Sequence, residues 1–213
     1  MMKIGIFGGS FDPIHRSHIS VIEESLKQLA LDKLLVVPTA NNPWKDSSKA
    51  TNKQRLEMLE IATRRYQKVE ICYYEINQKG DAKNYTIDTI KYLKSKYHDD
   101  QLYFIMGMDQ ASLFHKWKDA DKISELVSLV VFDRIGYQTN NNLKKYNFLK
   151  LDFVATDDAS SDIRNGNLHS LEPEVLKYIV SNGIYLDTII KTRMSAKRYK
   201  HTVSMAKLAK EIA

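Results

Sequence analysis

Two histidines, His15 and His18, lie near the start of the chain, where a predicted helix begins. They follow a short apolar strand and a glycine-rich turn, whose candidate contact residues are Gly8, Gly9, Ser10 and Phe11. Backbone N–H groups in such a turn, together with a helix N-terminus, can face an anion closely. Two imidazoles at this position can donate hydrogen bonds to phosphate oxygens and stabilise a departing pyrophosphate. The pattern favours a site for a nucleoside triphosphate.

Two other interpretations of the histidine pair stay open. Both side chains could be surface histidines beside a structural turn. They could also be metal ligands, but no cysteine and no clear carboxylate partner is placed to complete a coordination sphere. We therefore predict no metal-binding residues in the protein itself, and phosphate contact is the favoured interpretation.

Length and charge set limits on the class of protein. With 213 residues, the chain can form one domain of ordinary size and a modest appendage. Its 32 basic and 26 acidic side chains give a formal net charge of +6, which suits polyanionic ligands. The scattered lysines have no interleaved aromatic residues to stack bases, so we predict no nucleic-acid partner. The lack of a long apolar run predicts a cytoplasmic protein without a membrane partner.

Short β-rich runs alternate with amphipathic stretches along most of the chain. The predicted strands cover residues 3–7, 34–37, 69–72, 102–106, 129–132 and 151–154. Between them, apolar residues recur with helical spacing. This alternation predicts an α/β fold with a doubly wound parallel sheet, in which functional residues gather at the carboxyl ends of the strands. We place this domain at residues 1–187 and a C-terminal helical extension at residues 188–213.

The segment from Gly8 to His18 closely resembles the phosphate loop of the bacterial nicotinate-nucleotide adenylyltransferases, which are members of the nucleotidyltransferase superfamily. The histidines match that family's His-x-Gly-His signature, with Ser17 in place of the glycine. Later segments match in the same order, so the resemblance covers the chain to about residue 186. It implies a Rossmann-like nucleotidyltransferase fold and the transfer of AMP from ATP to nicotinate mononucleotide, which gives deamido-NAD and pyrophosphate in NAD biosynthesis.

Five positions match the family's contacts with the mononucleotide. Lys45 matches a loop lysine that reaches substrate phosphates. Tyr85 and Thr86 match the opening of a helix that faces the nicotinate carboxylate, and Trp117 matches a residue that can stack on the pyridine ring. Arg134 matches another family position. Without the resemblance, a solvated lysine and a packing tryptophan would be the favoured interpretations, and a helix cap at Tyr85 and Thr86 and an ion pair at Arg134 would stay open.

Five further positions match the family's contacts with ATP. Gly107 and Asp109 match a Gly-x-Asp segment, whose carboxylate can accept hydrogen bonds from ribose hydroxyls. Ser160, Ser161 and Arg164 match a serine-rich helix start, which forms a second cradle for the phosphates of ATP. The resemblance thus implies two anion sites on one domain.

The resemblance implies catalysis by alignment and charge stabilisation, carried out by His15, His18, Lys45 and Arg164. It also implies a Mg²⁺ held mainly by the ATP phosphates and water. Nicotinamide mononucleotide is the alternative acceptor, and a non-catalytic nucleotide sensor or nucleic-acid-binding module is the alternative class. The sequence does not predict the oligomeric state.

Residues 198–209 resemble the opening helix of HD-domain phosphohydrolases, with His201 at the position of their first metal-binding histidine. Such enzymes need a later His-Asp pair and a further aspartate around a metal centre. A plain C-terminal helix explains the same pattern, and both interpretations stay open. On either one, we expect no hydrolytic activity from these residues alone.

Overall fold

A computed structural model describes residues 1–40, 49–78, 84–136 and 141–212. The strands in these ranges are β1 (Lys3–Gly9), β2 (Lys33–Pro38), β3 (Val69–Ile71), β4 (Gln101–Gly107), β5 (Ser128–Arg134) and β6 (Leu149–Ala155). They form one sheet in the order β3-β2-β1-β4-β5-β6, and every neighbouring pair is parallel. Each strand coincides with a predicted one to within three residues at either end.

Helices connect the strands and continue beyond the sheet. They are α1 (Arg16–Gln28), α2 (Asn52–Thr63), α3 (Thr86–Lys96), α4 (Met108–Ala111), α5 (Ala120–Leu126), α6 (Asn141–Lys145), α7 (Ser160–Arg164), α8 (Pro173–Ser181), α9 (Leu186–Arg193) and α10 (Ala196–Ile212). Because helices cover both faces of a parallel sheet, the predicted doubly wound α/β fold with a C-terminal helical extension is confirmed.

The central strands β2, β1, β4 and β5 are mostly apolar because they are buried on both faces of the sheet. In β1, Ile6 points into one apolar cluster and Phe7 into the other. Helices α1 and α2 complete the cluster around Phe7 with residues such as Ile22 and Met58. Helices α3 and α5 complete the opposite cluster, where Ile90 is fully buried. The helical stripes seen in the sequence therefore pack on opposite sides of the sheet.

The order of the strands reverses between β1 and β4, which are neighbours in the sheet. Crossovers leave these two strands in opposite directions, so their carboxyl ends open into a crevice. Strand β1 ends at Gly9 and β4 ends at Gly107, and both were predicted to contact the nucleotide. The topology therefore puts the crevice beside the predicted phosphate loop.

The C-terminal extension begins within a helix that contacts the main domain. The predicted boundary after residue 187 falls inside α9, and Arg193 Nη2 at the end of α9 donates to the carbonyl of Gly166 over 2.9 Å. The Tyr199 hydroxyl of α10 donates to the carboxylate of Asp187. Among the described residues, no helix has both the length and the apolar character needed to span a membrane.

Candidate active site

A cavity of about 390 Å³ lies in the crevice between β1 and β4. It is bounded by the end of β1, the start of α3 and the segment after β4. The predicted contact residues that line it are Gly8, Gly9, Tyr85, Thr86, Asp109 and Trp117. These residues are far apart in the sequence, and the topology of the sheet brings them together. The cavity can hold a planar ring beside a phosphate-binding loop.

In the loop after β1, the buried Phe11 ring packs closely against Gly9. Phe11 has a positive φ of 46° and is only 1% exposed. A Cβ atom at Gly9 would lie 3.0 Å from the Phe11 ring, so the glycine permits this approach. The Phe11 ring also meets the His18 ring edge-on, with centroids 5.0 Å apart. Phe11 therefore positions the loop, and only its backbone is available to contact ATP.

The two predicted catalytic histidines face each other across the first turn of α1. The backbone N–H of His15 donates to Nδ1 of His18 over 3.2 Å. Because Nδ1 is the acceptor, the proton of the His18 ring is on Nε2, which is then a hydrogen-bond donor. The two rings are tilted by 37° to each other with centroids 3.7 Å apart, so two positive charges here would repel strongly.

His15 is the more buried of the pair. Burial lowers its pKa from 6.5 to about 4, while the Asp158 carboxylate opposes this change and the Arg134 guanidinium adds to it. At neutral pH the His15 ring is therefore uncharged, and only its N–H group could donate a hydrogen bond to a ligand. A neutral donor can contact a phosphate oxygen without placing a second charge beside His18.

The depressed pKa of His15 predicts a loss of stability in acid. In the unfolded chain His15 binds a proton below pH 6.5, whereas in the folded chain it binds one only below about pH 4. The free energy of unfolding should therefore fall as the pH is lowered across this window. The change amounts to about 3 kcal/mol. Urea denaturation at about pH 7 and about pH 4 should show that His15→Gln loses less stability than the wild-type protein. An equal loss in both proteins would contradict the assignment.

The second predicted anion cradle packs against the first. Ser160, at the start of α7, donates from its hydroxyl to the carbonyl of Pro13 over 3.0 Å. Arg164 Nη1 donates to the carbonyl of Asp12 over 2.6 Å. Ser161 is exposed and lies 3.5 Å from the carboxylate of Asp162. The structure thus brings Ser160 and Arg164 to the histidine loop.

Asp12 is a structural centre of the site that the sequence did not single out. Its carboxylate accepts hydrogen bonds from the backbone N–H groups of Lys49 at 2.8 Å and Ala50 at 3.1 Å. The Tyr185 hydroxyl donates to the same carboxylate over 2.7 Å. Arg164 Nη1 lies 3.9 Å from it. Asp12 therefore links the histidine loop to residues 49–50, to Arg164 and to Tyr185. In the sequence, the only signal for this role is its position inside the histidine loop.

Asp109 and Arg134 form an ion pair at the ends of β4 and β5. Arg134 Nη1 donates to Asp109 Oδ2 over 3.1 Å. A Cβ atom at Gly107 would lie 2.5 Å from Asp109 Oδ1 and 2.9 Å from Arg134 Cδ, so any larger residue there would displace this pair. Asp109 also lines the cavity. The three predicted residues therefore form one unit at its edge.

Trp117 both packs in the core and lines the cavity. Its ring contacts Phe114 with centroids 5.5 Å apart and Phe104 edge-on at 6.1 Å. It is half-buried and forms part of the cavity wall. Trp117 therefore packs in the core and is also present at the cavity wall.

Two other polar residues, Arg55 and Ser17, form hydrogen bonds that hold the histidine loop and the start of α1 in place. Arg55 is fully buried, and its Nη1 donates to the carbonyl of Ser10 over 2.5 Å. Ser17, which replaces the family's glycine, donates from its hydroxyl to the carbonyl of Thr156 over 3.2 Å. The serine therefore links α1 to the segment that follows β6.

The predicted roles of Lys45 and of Mg²⁺ are not tested by the contacts described above. Lys45 lies outside the described residues. Across the described ranges, no group of three or more histidine, cysteine, aspartate or glutamate side chains is arranged to hold a metal ion. The Mg²⁺ expected with ATP stays a prediction.

Six parallel strands in this order, with a histidine pair after β1 and a cavity at the reversal point, define a Rossmann-like nucleotidyltransferase fold among the described residues. The chain belongs to the cytidylyltransferase-like family, whose model matches residues 6–166. The structure of the nicotinic acid mononucleotide adenylyltransferase of Plasmodium falciparum complexed with NaAD aligns with a TM-score of 0.72 and 18% identity, covering 87% of this chain and 98% of that one. This alignment supports the fold alone.

Curated relatives are more similar in sequence. A nicotinate-nucleotide adenylyltransferase of Nitratiruptor sp. is 40% identical over 163 residues, which are 76% of this chain and 88% of that protein. A nicotinate-nucleotide adenylyltransferase/Ap4A hydrolase of Mycoplasma genitalium is 33% identical over 213 residues, which are 99% of this chain. The chain spans 60% of the length of that second relative.

Proposed function

We propose that this chain transfers the AMP part of ATP to nicotinate mononucleotide and so forms deamido-NAD and pyrophosphate in NAD biosynthesis. The observation that carries the proposal is the cavity at the reversal point, which joins the end of β1 to Trp117 and the N-terminus of α3. Relatives that are 40% identical bear the name of this activity. ATP and nicotinate mononucleotide are therefore the proposed substrates.

The reaction is a substitution at the α-phosphorus of ATP. An oxygen of the mononucleotide phosphate forms a bond to that phosphorus as the bond to pyrophosphate breaks. The attacking phosphate is already an anion at neutral pH, so no general base is needed. His18 Nε2 and the neutral His15 ring donate hydrogen bonds to the phosphate oxygens, where negative charge grows. The protein thus contributes alignment and charge stabilisation.

The ring end of the cavity suits an anionic substituent. Tyr85 and Thr86 lie at the N-terminus of α3, where backbone N–H groups attract negative charge. Lys116 and Lys118 also line the cavity, and Lys118 Nζ lies 4.4 Å from the centroid of the Tyr85 ring. The negative charge of a nicotinate carboxylate would gain more from this environment than a neutral nicotinamide group.

The ATP end is proposed to use α7 and the pair at β4 and β5. Ser160, Ser161 and Arg164 would contact the phosphates, and the Arg164 guanidinium can exchange its bond to the loop carbonyl for a phosphate oxygen. Asp109 would accept from a ribose hydroxyl. Mg²⁺ would neutralise phosphate charge and be carried mainly by ATP and water. Lys45 keeps its proposed role at the phosphates.

A competition between acceptors tests the proposal. With ATP, Mg²⁺ and equal amounts of nicotinate and nicotinamide mononucleotide, we expect deamido-NAD to exceed NAD by at least about tenfold, because the positive lysines and the start of α3 favour the carboxylate. Product chromatography measures the ratio. A dominant NAD product would reassign the acceptor. ATP binding without either dinucleotide would instead favour a nucleotide sensor.

We also propose that the protein is cytoplasmic and that residues 188–213 form a separate helical extension, the start of an HD-type domain. The resemblance around His201 and the greater length of the mycoplasma relatives support this second proposal. Diadenosine tetraphosphate incubated with this chain should stay intact, whereas the longer Mycoplasma genitalium relative, whose name includes Ap4A hydrolase, should release products in the same assay. Hydrolysis by residues 1–213 alone would contradict the proposal.

A further inference from the structure

Glu75 is a buried carboxylate in the wall of the cavity that the proposed chemistry does not use. It follows β3, is 7% exposed and lines the cavity together with Thr39 and Thr89. Its Oε1 accepts a hydrogen bond from the Thr89 hydroxyl over 2.6 Å. Its Oε2 is buried and has no hydrogen bond of normal geometry among the described residues, although the Thr39 hydroxyl is close enough to favour the ionised form.

A carboxylate in this position is costly for the stability of the protein. Burial raises the pKa of Glu75, and the hydroxyls of Thr89 and Thr39 together with the positive charge of Arg55 offset only part of that effect. Arg55 itself donates to Ser10 and Asn52 and forms no ion pair with Glu75 in the described chain. A buried charge without a paired cation is destabilising. A cation that enters the cavity would relieve this cost.

The other charged residues that line the cavity cannot attract a cation in the same way as Glu75. Asp109 is already paired with Arg134 at 3.1 Å. Lys116 and Lys118 are exposed cations of the opposite sign. Among the described lining residues, Glu75 is therefore the carboxylate that lacks a paired cation. The cavity has a negative charge in its wall and positive charges at its rim.

The acceptor proposed above has the matching charges. In nicotinate mononucleotide the ring nitrogen is bonded to the ribose, so the ring is a pyridinium cation, and its substituent is a carboxylate anion. Resting on the proposed function, we propose that Glu75 is a specificity-determining residue, whose carboxylate selects acceptors with a cationic ring. The Trp117 face adds to the same preference, because an aromatic face attracts cations.

A purely structural role for Glu75 makes a different prediction. If the side chain only held Thr89, the fourth residue of α3, in place, the Glu75→Gln substitution would keep the hydrogen bond, because the glutamine amide oxygen accepts from a hydroxyl in the same way. With a purely structural role, the variant would therefore keep the wild-type preference between cationic and neutral rings. A weaker preference is expected only if the charge of Glu75 matters. The comparison of two acceptors on one enzyme thus separates charge from structure.

The test uses nicotinate mononucleotide and a neutral analogue in which a 3-carboxyphenyl ring replaces the 3-carboxypyridinium ring, with ribose, phosphate and carboxylate unchanged. We expect wild-type kcat/KM to favour the cationic acceptor by at least about tenfold and the Glu75→Gln substitution to reduce this preference by about tenfold. Asp88→Asn is the matched control, since Asp88 is an exposed carboxylate in the first turn of α3 and should keep the wild-type preference. Because each preference is a ratio measured on one protein sample, an inactive fraction cancels.

An unchanged preference in Glu75→Gln, or equal losses with both acceptors, would overturn the assignment of Glu75. A reduced preference in Asp88→Asn of the same size would also overturn it, because the effect would then be a general change of charge. Absence of dinucleotide from the wild-type protein with nicotinate mononucleotide would instead overturn the proposed function. The two failures are therefore distinguishable.

Discussion

The His18→Ala substitution is expected to lower turnover by at least about a hundredfold, because it removes a hydrogen-bond donor from the position where charge develops. The backbone N–H of His15 fixes the tautomer of His18, so that Nε2 is the donating atom. The measurement is the steady-state rate of pyrophosphate release at saturating ATP and acceptor. A loss of this size with ATP binding retained would assign His18 to the reacting phosphates.

His98→Ala is a matched control for this loss. His98 is exposed and pairs with Asp99 on the surface, away from the cavity lining. Its substitution should leave turnover within about twofold of the wild-type rate, as surface changes usually do. Unchanged turnover in His18→Ala, from protein whose circular dichroism and melting match the wild type, would remove His18 from the catalytic residues.

The Asp12→Ala substitution should have the largest effect on stability. It leaves two backbone N–H groups and the Tyr185 hydroxyl without their acceptor, and it removes a carboxylate that is 4% exposed beside Arg164. Breaking such a buried network costs about 3 kcal/mol or more in the free energy of unfolding. Urea denaturation at neutral pH measures the difference. The loop should also lose order, so that activity falls with stability.

Tyr185→Phe is the natural comparison for Asp12→Ala. It removes a single hydrogen bond from the same carboxylate and should cost about 1 kcal/mol. If both variants lost equal stability, the contacts of Asp12 with residues 49 and 50 and with Arg164 would contribute nothing. Asp12 would then not be the centre that joins these segments.

The sheet could be predicted from the sequence because its strands are buried on both faces. Such strands are continuous apolar runs, and the helices between them have one apolar stripe each, so both patterns are local. The positions of Gly9 and Gly107 at neighbouring strand ends then follow from the general rule for open α/β sheets. The boundary after residue 187 stays a prediction, and the structure places this position inside α9.

The internal contacts of the site could not be predicted in the same way. Tyr185 and Asp12 are separated by 173 residues, and Arg55 and Ser10 by 45, so no local pattern pairs them. Glu75 lies beyond the short strand β3 and has no sequence signal of burial. For Trp117, the sequence left packing and ligand contact as alternatives. The structure shows that Trp117 packs against Phe114 and also lines the cavity.

The most direct test of adenylyl transfer follows the α-phosphorus of ATP. With ATP labelled at that atom, Mg²⁺ and nicotinate mononucleotide, we expect the label to pass into deamido-NAD and one pyrophosphate to be released for each dinucleotide formed. Label that stays in ATP, or that appears in AMP or ADP without a dinucleotide, would rule out adenylyl transfer to this acceptor.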